Sequence, residues 1–425
     1  MKKRFFGMIL VMLLAVSGTA WGAEDDGTFT RGDFAAMLVD AAQLTGEEGD
    51  QGPASLLVEK GIIQGYPGGD MGLEKEISRL EAVSFVGRTL GLKDDISPPE
   101  QGNAPLDATH WGYNLYSWLN YHGLITGEPG DILNAEEGAA FLNKVFTSQP
   151  EALQIVEKTQ EAVQAKNQTL SMVLEGTMKM TPRLGVAGAE EIPLGDSKMR
   201  IEQEMVLPDQ IHQKITMTMV LPGSGEETMT METYMAGGEM YQQLPDEEIG
   251  TMKWYRYPKE LMPDLKEIME MAEKQGNAIP SELEEYLHYN LLGTTQVGGE
   301  EVHRIAFYGR IDDLSKFLNA AMGQFGDNAD LQQAMSQSIE IIDSITYWGI
   351  EHIGVADYLP RNAELNIIMT YSDEFMGEPM PISALEMMMN FEEYRYGDDL
   401  VIQVPQEALD APMLELPDMN QPMIQ

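Results

Sequence analysis

Methionine is the residue of this chain whose placement could do chemistry: there are 31 of them and no cysteine. The pairs Met178-x-Met180, Met217-x-Met219 and Met229-x-Met231 admit two readings. A thioether is a soft ligand that prefers Cu(I). It is also an unbranched, polarizable group that repacks around apolar ligands of variable shape. A copper site needs three or four ligands converging on one point, whereas these pairs repeat at the period a strand imposes on any residue it turns to one face. Catalytic patterns are missing: the sequence holds no Cys nucleophile, His-Glu-x-x-His helix, Gly-x-Ser-x-Gly elbow or phosphate-binding glycine loop. Its six histidines are scattered, none at helical ligand spacing with another, and carboxylate pairs such as Glu247–Glu248 are too common to mark a glycosidase. No enzyme activity and no cofactor are expected.

The elements that must carry the methionines are strands. Apolar residues alternate in Leu170, Met172, Leu174, Met178 and Met180, in Met199, Ile201, Met205 and Leu207, and in Ile211, Ile215, Met217, Met219 and Leu221. Met229, Met231 and Met235 continue the rule. The pattern predicts half-buried antiparallel strands with methionines on one face and Lys179, Glu202, Lys214 and Glu232 on the other. Met172, Met178, Met180, Met205, Met217, Met219, Met229 and Met231 are the candidate lining of an apolar cavity. Further strands are predicted at 302–308, 341–348, 365–371, 384–396 and 400–404. Apolar stripes at Leu265, Ile268, Met269 and Ala272, and at Leu314, Phe317, Leu318, Ala321, Met322 and Phe325, predict helices covering the sheet.

The first third of the chain reads differently. Phe29-Thr30-Arg31-Gly32-Asp33, Ile77-Ser78-Arg79-Leu80-Glu81 and Leu133-Asn134-Ala135-Glu136-Glu137 each open an apolar helical run. Thr30, Ser78 and Asn134, each followed three residues on by an acid, read as N-caps with capping-box partners. Two more helical segments end at Gly61 and Gly123. With the Gly65-Tyr66-Pro67-Gly68 turn, this pattern resembles surface-layer homology (SLH) repeats, about two and a half of them. The resemblance implies a pseudo-threefold helical bundle whose grooves bind secondary cell-wall polysaccharide, often bearing pyruvate ketals. A planar, permanently charged guanidinium suits a pyruvyl carboxylate. Arg31 and Arg79 stand where the family's motif arginine stands, the third place being Ala135, and Tyr66 and Trp111 could offer a face to a sugar ring.

A second resemblance covers residues 151–412. An opening helix at 152–165, methionine-bearing meander strands, Trp254-Tyr255-Arg256-Tyr257, a central helical insertion and the ending Val401-Ile402-Gln403-Val404-Pro405 look like the LolA/LolB-type lipoprotein-carrier superfamily, particularly its secreted Gram-positive relatives. It implies a half-barrel closed by helices around a cavity for acyl chains or other hydrophobic ligands. The lipobox cysteine of such relatives is missing here.

Composition sets the compartment. Met1–Gly22 has a basic start, an apolar stretch and Ala20-x-Gly22 before Ala23, the form of a cleaved secretory signal. No later segment reaches eighteen apolar residues, so no span is expected after cleavage. The formal net charge is −42, with acids outnumbering bases in both residues 23–150 and 151–425. Such a surface repels nucleic acid and anionic membranes.

The expected fold class is multidomain: an all-α SLH-like pseudo-repeat bundle at 23–150, then an α+β antiparallel half-barrel covered by helices at 151–425, with an acidic tail after about 412. The expected function is that of an exported protein of the bacterial cell wall or surface, held non-covalently on wall polysaccharide and carrying a domain for a lipid-like ligand. The alternatives are a structural S-layer-associated protein without a cavity and a copper-binding protein.

Overall fold

A computed structural model describes residues 28–44, 52–66, 68–94, 96, 105–166, 169–189, 192–193, 195–206, 210–221, 223, 225–246, 251–257, 286–312, 314, 341–375, 378–397 and 400–414. The signal-like residues 1–22 lie outside the described residues.

Five short helices come first: α1 (Arg31–Ala41), α2 (Pro53–Glu59), α3 (Arg79–Thr89), α4 (Tyr113–Tyr121) and α5 (Ala135–Phe146). All three predicted capping boxes form, at Thr30/Asp33, Ser78/Glu81 and Asn134/Glu137. The repeats are also linked equivalently. Arg31 N–H donates to the Lys75 carbonyl at 2.8 Å and Gly32 N–H to Leu73 at 2.9 Å; one repeat on, Arg79 N–H donates to Asp131 at 2.8 Å and Leu80 N–H to Pro129 at 2.9 Å. Each helix start is thereby tied to the loop before the next. Phe34, Leu38, Phe85, Leu115 and Phe141 form the buried centre, with Phe34 6.3 Å from Phe85 and 6.5 Å from Phe141 between ring centroids.

Next comes α6 (Pro150–Lys166), then β1 (Thr169–Pro182), β2 (Asp196–Val206), β3 (Gln210–Leu221), β4 (Gly225–Ala236), β5 (Glu239–Asp246), β6 (Thr251–Arg256), β7 (His288–Val297), β8 (Glu300–Ile311), β9 (Ile342–Gly354), β10 (Pro360–Tyr371), β11 (Glu374–Phe375), β12 (Glu378–Pro379), β13 (Ile382–Tyr396) and α7 (Gln406–Leu409). Eleven strands form one antiparallel sheet in the order β6-β5-β4-β3-β2-β1-β13-β10-β9-β8-β7, and β11 with β12 makes a separate small hairpin. Two-residue glycine turns set the tightest hairpins: Gly237-Gly238 and Gly298-Gly299 all have positive φ, as a primed turn matched to strand twist requires.

This architecture corrects the expected one. The chain is dominated by one large antiparallel sheet, and its N-terminal helices are not an independent all-α bundle. Their core runs on into the sheet through Tyr308, with Trp348 packed against it. Trp118 of α4 meets Trp348 of β9 edge-on at 5.2 Å. The Arg304 guanidinium of β8 lies 4.8 Å over the Tyr121 ring and donates to its hydroxyl at 2.7 Å. Lys60 pairs with the buried Asp312 at 3.0 Å, and Lys93 pairs with Glu386. The physical reason is size: helices of 7–12 residues in two and a half repeats cannot bury residues such as Trp118 among themselves. His122, stacked on Trp118 at 3.8 Å, is sealed in this junction, and burial with the nearby Arg304 charge holds its pKa down at about 3.

The helices expected to close the half-barrel fall only in part within the described residues. Among the described residues α6 is the helix that packs on the apolar face of the sheet, through Ala152, Ile155 and Val156 against Ile305, Ile353, Tyr289 and Leu291. The covering helix expected at 265–272 lies outside the described residues, as does 315–325 of the second; Leu314 is buried with Tyr286 and Ile311. The strand expected at 400–404 is instead an irregular run: Ile402 and Val404, with Ala408 of α7, cover Tyr234, Tyr241 and Trp254 on the opposite, polar face. The chain stays attached as far as Leu414, whose N–H donates to the Arg256 carbonyl at 2.8 Å.

Emptying the junction by Trp118→Ala is expected to cost about 3–5 kcal/mol. Far-ultraviolet and near-ultraviolet circular dichroism should then still report one unfolding transition at a lower denaturant midpoint; two transitions would make the helices an independent unit.

Candidate functional site

Strand alternation puts the methionines on one face, and register lines them up across strands. Leu365 (β10), Met389 (β13), Gly176 (β1), Met199 (β2), Met217 (β3) and Met229 (β4) are successive cross-strand partners in a single row. Leu170, Met205, Ile211, Met235 and Met240 form a second row. Between lie Ala363, Phe391, Leu174, Ile201, Ile215 and Met231. Ile367, Met387 and Met178 extend the face on the other side of the first row. At Gly176 a Cβ would lie 2.4 Å from the Met388 carbonyl oxygen, so the row has a gap between Met389 and Met199 that this packing keeps.

The opposite face of β1–β4 is polar. Arg200 pairs with Glu175 and Glu202, Lys214 stands between Glu202 and Glu232, and Thr218 shares a hydrogen bond with Thr228 at 2.9 Å. All four charged positions expected on that face are there.

The eight predicted lining methionines therefore share one surface. Met172 and Met180, opposite Gln203 and Leu385, belong to it at the bulged and terminal parts of β1, and Met219 opposes Glu227 near the end of β3. They are only partly buried, and Met229 is 41% exposed. In the rows above, Leu174 and Met389 are buried, whereas the helical core around Phe34 and Leu38 is fully closed. The sulfurs run in lines along and across strands rather than around a point. Gln203 and Gln242 amides donate to Met205 and Met231 sulfurs at 3.2 and 3.6 Å. Among the described residues no group of three His, Cys, Asp or Glu could hold a metal ion.

Sequence reasoning missed the other half of this face. Met387 and Met389 sit in the run Met387-Met388-Met389, in which the outward Met388, 49% exposed, masks the alternation. Tyr394 and Tyr396 were hidden by a bulge: Glu393 adopts φ +53°, and the register slips between Ser171/Arg395 and Val173/Glu392. One extra residue returns Tyr394 and Tyr396 to the side of Phe391, stacked at 6.2 Å and 7°. Tyr289, Tyr347 and Glu351 join them through β7 and β9. Burial pushes Glu351 up to about 7, and its charge is felt by Tyr289, Tyr394 and Tyr396, whose own pKa values are raised first by burial.

The residues expected to bind polysaccharide are arranged unequally. Arg31 is buried, 3% exposed, and donates to Glu81 at 2.6 Å and to the Met71 carbonyl at 3.1 Å. Tyr66 donates to the same Glu81 oxygen at 2.6 Å, with its ring 4.9 Å from Arg31 and 3.9 Å from Lys75. Burial would raise the Glu81 carboxyl, but the hydrogen bonds from Tyr66 and Ser78 and the Arg31 charge hold it below its ordinary range. Arg79 is looser: its Nη2 is 3.8 Å from Asp131 and 3.7 Å from Glu137, and its buried Nε has no hydrogen-bond partner among the described residues. Trp111 is 54% exposed.

A sequence model described as "Family of unknown function (DUF6612)" matches residues 151–413, the segment that carries α6, the sheet and α7. The chain belongs to this family. Similar solved structures include lipoprotein LppX from Mycobacterium tuberculosis (9% identity, covering 60% of this chain and 100% of that one, TM-score 0.26) and LprF from Mycobacterium bovis (12%, 62% and 99%, TM-score 0.29). MucB is a third (9% identity, TM-score 0.26); the match covers 61% of this chain and 64% of that protein. No curated protein sequence matches the chain. Among the described residues no helix is long and apolar enough to cross a membrane.

A half-open face and a closed core differ in what a truncation costs. Met217→Ser is expected to lower stability by no more than about 1 kcal/mol, as at sites that water already reaches. Leu38→Ala, in the closed helical core, should cost about 2–5 kcal/mol. Equal losses in denaturant titrations would mean that the methionine face is an ordinary core.

Proposed function

We propose that the DUF6612 segment binds a hydrophobic, lipid-like ligand on its methionine face, and that the protein does so outside the cytoplasm. The observation that carries this reading is the in-register row from Met389 to Met229, a broad apolar surface left half open on one side of a continuous sheet. Scattered apolar residues on a surface need no explanation, but contiguous ones mark binding. Thioether side chains suit a ligand whose chains vary in length or branching, because they change rotamer at little cost. Nothing in this reading calls for bond-making chemistry, so the protein is taken as a binder or carrier. The basic and apolar start of the chain supports export.

The helical repeats support the second part of the proposal, retention at the cell wall through polysaccharide. The three capping boxes and the two equivalent loop ties give the repeats a common geometry, and Arg79 with the exposed Trp111 is the pair best disposed to meet a ligand. Arg31 is committed to Glu81 within the repeat.

Two measurements test the two parts. A fluorescent fatty-acid probe is expected to bind the mature protein, and Met199→Lys with Met217→Lys to weaken it about tenfold or more, since desolvating two ammonium groups opposes burial of an acyl chain. No probe binding, together with no lipid in organic extracts of the purified protein, would refute the carrier reading. Separately, Arg79→Ala should weaken binding to purified cell walls, read by co-sedimentation, about tenfold or more, in keeping with about 1.5–3 kcal/mol for a charge-assisted hydrogen bond. Unchanged sedimentation would leave Arg79 as a structural partner of Asp131 and Glu137.

A further inference from the structure

The apolar face is not uniform. Toward β7–β9 its methionines give way to aromatic rings around one carboxyl group, that of Glu351. Its cross-strand partners are Ile305 on β8 and Ala363 on β10, and Phe391 follows Ala363 on β13. Tyr289 pairs across to Phe307, with ring centroids 6.5 Å apart. Tyr394 and Tyr396 are swung onto this side by the bulge at Glu393, which would otherwise leave them on the polar face. The carboxyl makes no hydrogen bond or ion pair with any described residue. The cationic and titratable groups of neighbouring elements are engaged elsewhere: His303 of β8, on the same face as Ile305, stacks on the Tyr358 ring at 6.2 Å, and Lys158 of α6 lies 4.8 Å over that ring and donates to its hydroxyl at 3.2 Å. Arg361 binds Asp357 at 2.9 Å and Glu300 at 2.8 Å.

A half-buried carboxyl among apolar residues, with no cation paired to it among the described residues, is costly as an anion. The cost is removed when a cation enters, and tyrosine rings beside it favour a cation further through their negative faces. An arrangement of three tyrosines and one acid at the end of an apolar surface thus has the chemistry of a receptor for a positively charged head attached to a hydrophobic tail.

We infer that Glu351, Tyr289, Tyr394 and Tyr396 form a head-group subsite for a cationic amphiphile, one with an amine or quaternary ammonium head whose chain runs along the methionine rows. This deepens the proposed function and rests on it: the rows supply affinity for the tail, and the subsite selects the charge of the head. The raised pKa of Glu351, about 7, adds a pH signature. For a permanently charged head, binding strengthens as pH rises through about 7 and the carboxyl ionises. The tyrosines around it do not compete in that range, since Tyr289 is pushed up to about 12 and Tyr394 and Tyr396 are raised as well.

The experiment compares three probes of one chain length on the full mature protein by titration calorimetry below their micelle concentrations: decyltrimethylammonium, decanol and decyl sulfate. The expected order has the cation tightest, by about tenfold over decanol as a desolvated cation–π and ion contact implies, and the sulfate weakest. Glu351→Gln should abolish the preference for the cation and its pH dependence while leaving decanol binding within about twofold, because the variant keeps shape and removes only the charge. Tyr394→Leu should weaken the cation more than decanol. Equal binding of cation and sulfate, or equal losses of cation and decanol in Glu351→Gln, overturns the subsite and leaves the apolar face standing. Failure of all three probes overturns the subsite together with the carrier reading.

Discussion

The pairing of β1 with β13 is the interaction on which the rest depends. It joins residues 169–182 to 382–396, 200 or more positions apart, through a ladder that runs from Leu170/Tyr396 to Pro182/Ile382. The strands β1–β6 on one side and β7–β10 on the other each pair with their neighbours in chain order. Only this ladder makes them one eleven-stranded sheet. It also sets which residues share a face, because strand side chains alternate and a slip of one position would reverse every residue beyond it. The bulge at Glu393 is such a slip, and it divides the face into a methionine half and a tyrosine half.

Burial is distributed unevenly around this sheet. The helical repeats close tightly, tied by their capping boxes and loop bonds, and they use the sheet itself to finish the job through Trp118, Trp348 and Tyr308. The polar face of β1–β4 is covered by alternating charges and threonines, in keeping with the chain's net charge of −42. The apolar face is left to contacts of intermediate burial. A protein that places its tight packing at the helix junction and its soft side chains on an accessible sheet face has separated the part that holds shape from the part that adapts.

Much of this was legible in the sequence because its causes are local. Capping boxes need a hydroxyl or amide and an acid three residues on, and all three were readable at Thr30, Ser78 and Asn134. The period of two that orients Met178, Met217 and Met231 follows from strand geometry, and so does the opposite orientation of Glu202 and Lys214. The helix α6 followed from its apolar period in the same way, whereas β6 was read from the family resemblance that Trp254-Tyr255-Arg256-Tyr257 helps to carry.

What the sequence could not decide was how these elements meet. Apolar helices in repeats are compatible with an independent bundle, and only tertiary structure sends Trp118 to a tryptophan of β9. A run such as Ile402–Val404 has strand composition, yet it lies as an irregular strap on Tyr234 and Trp254, because packing rather than propensity determines its state. Arg31 and Arg79 occupy equivalent places in their repeats, but a carboxylate from another helix occupies the first and leaves the second less engaged. The sequence by itself determined the capped helices, the alternating strands and the chemistry of one face. Tertiary structure decided the union of helices with sheet, the cross-strand rows of sulfur and the gathering of Glu351 with its tyrosines, because each depends on pairing between residues far apart in the chain, where no local period carries the information.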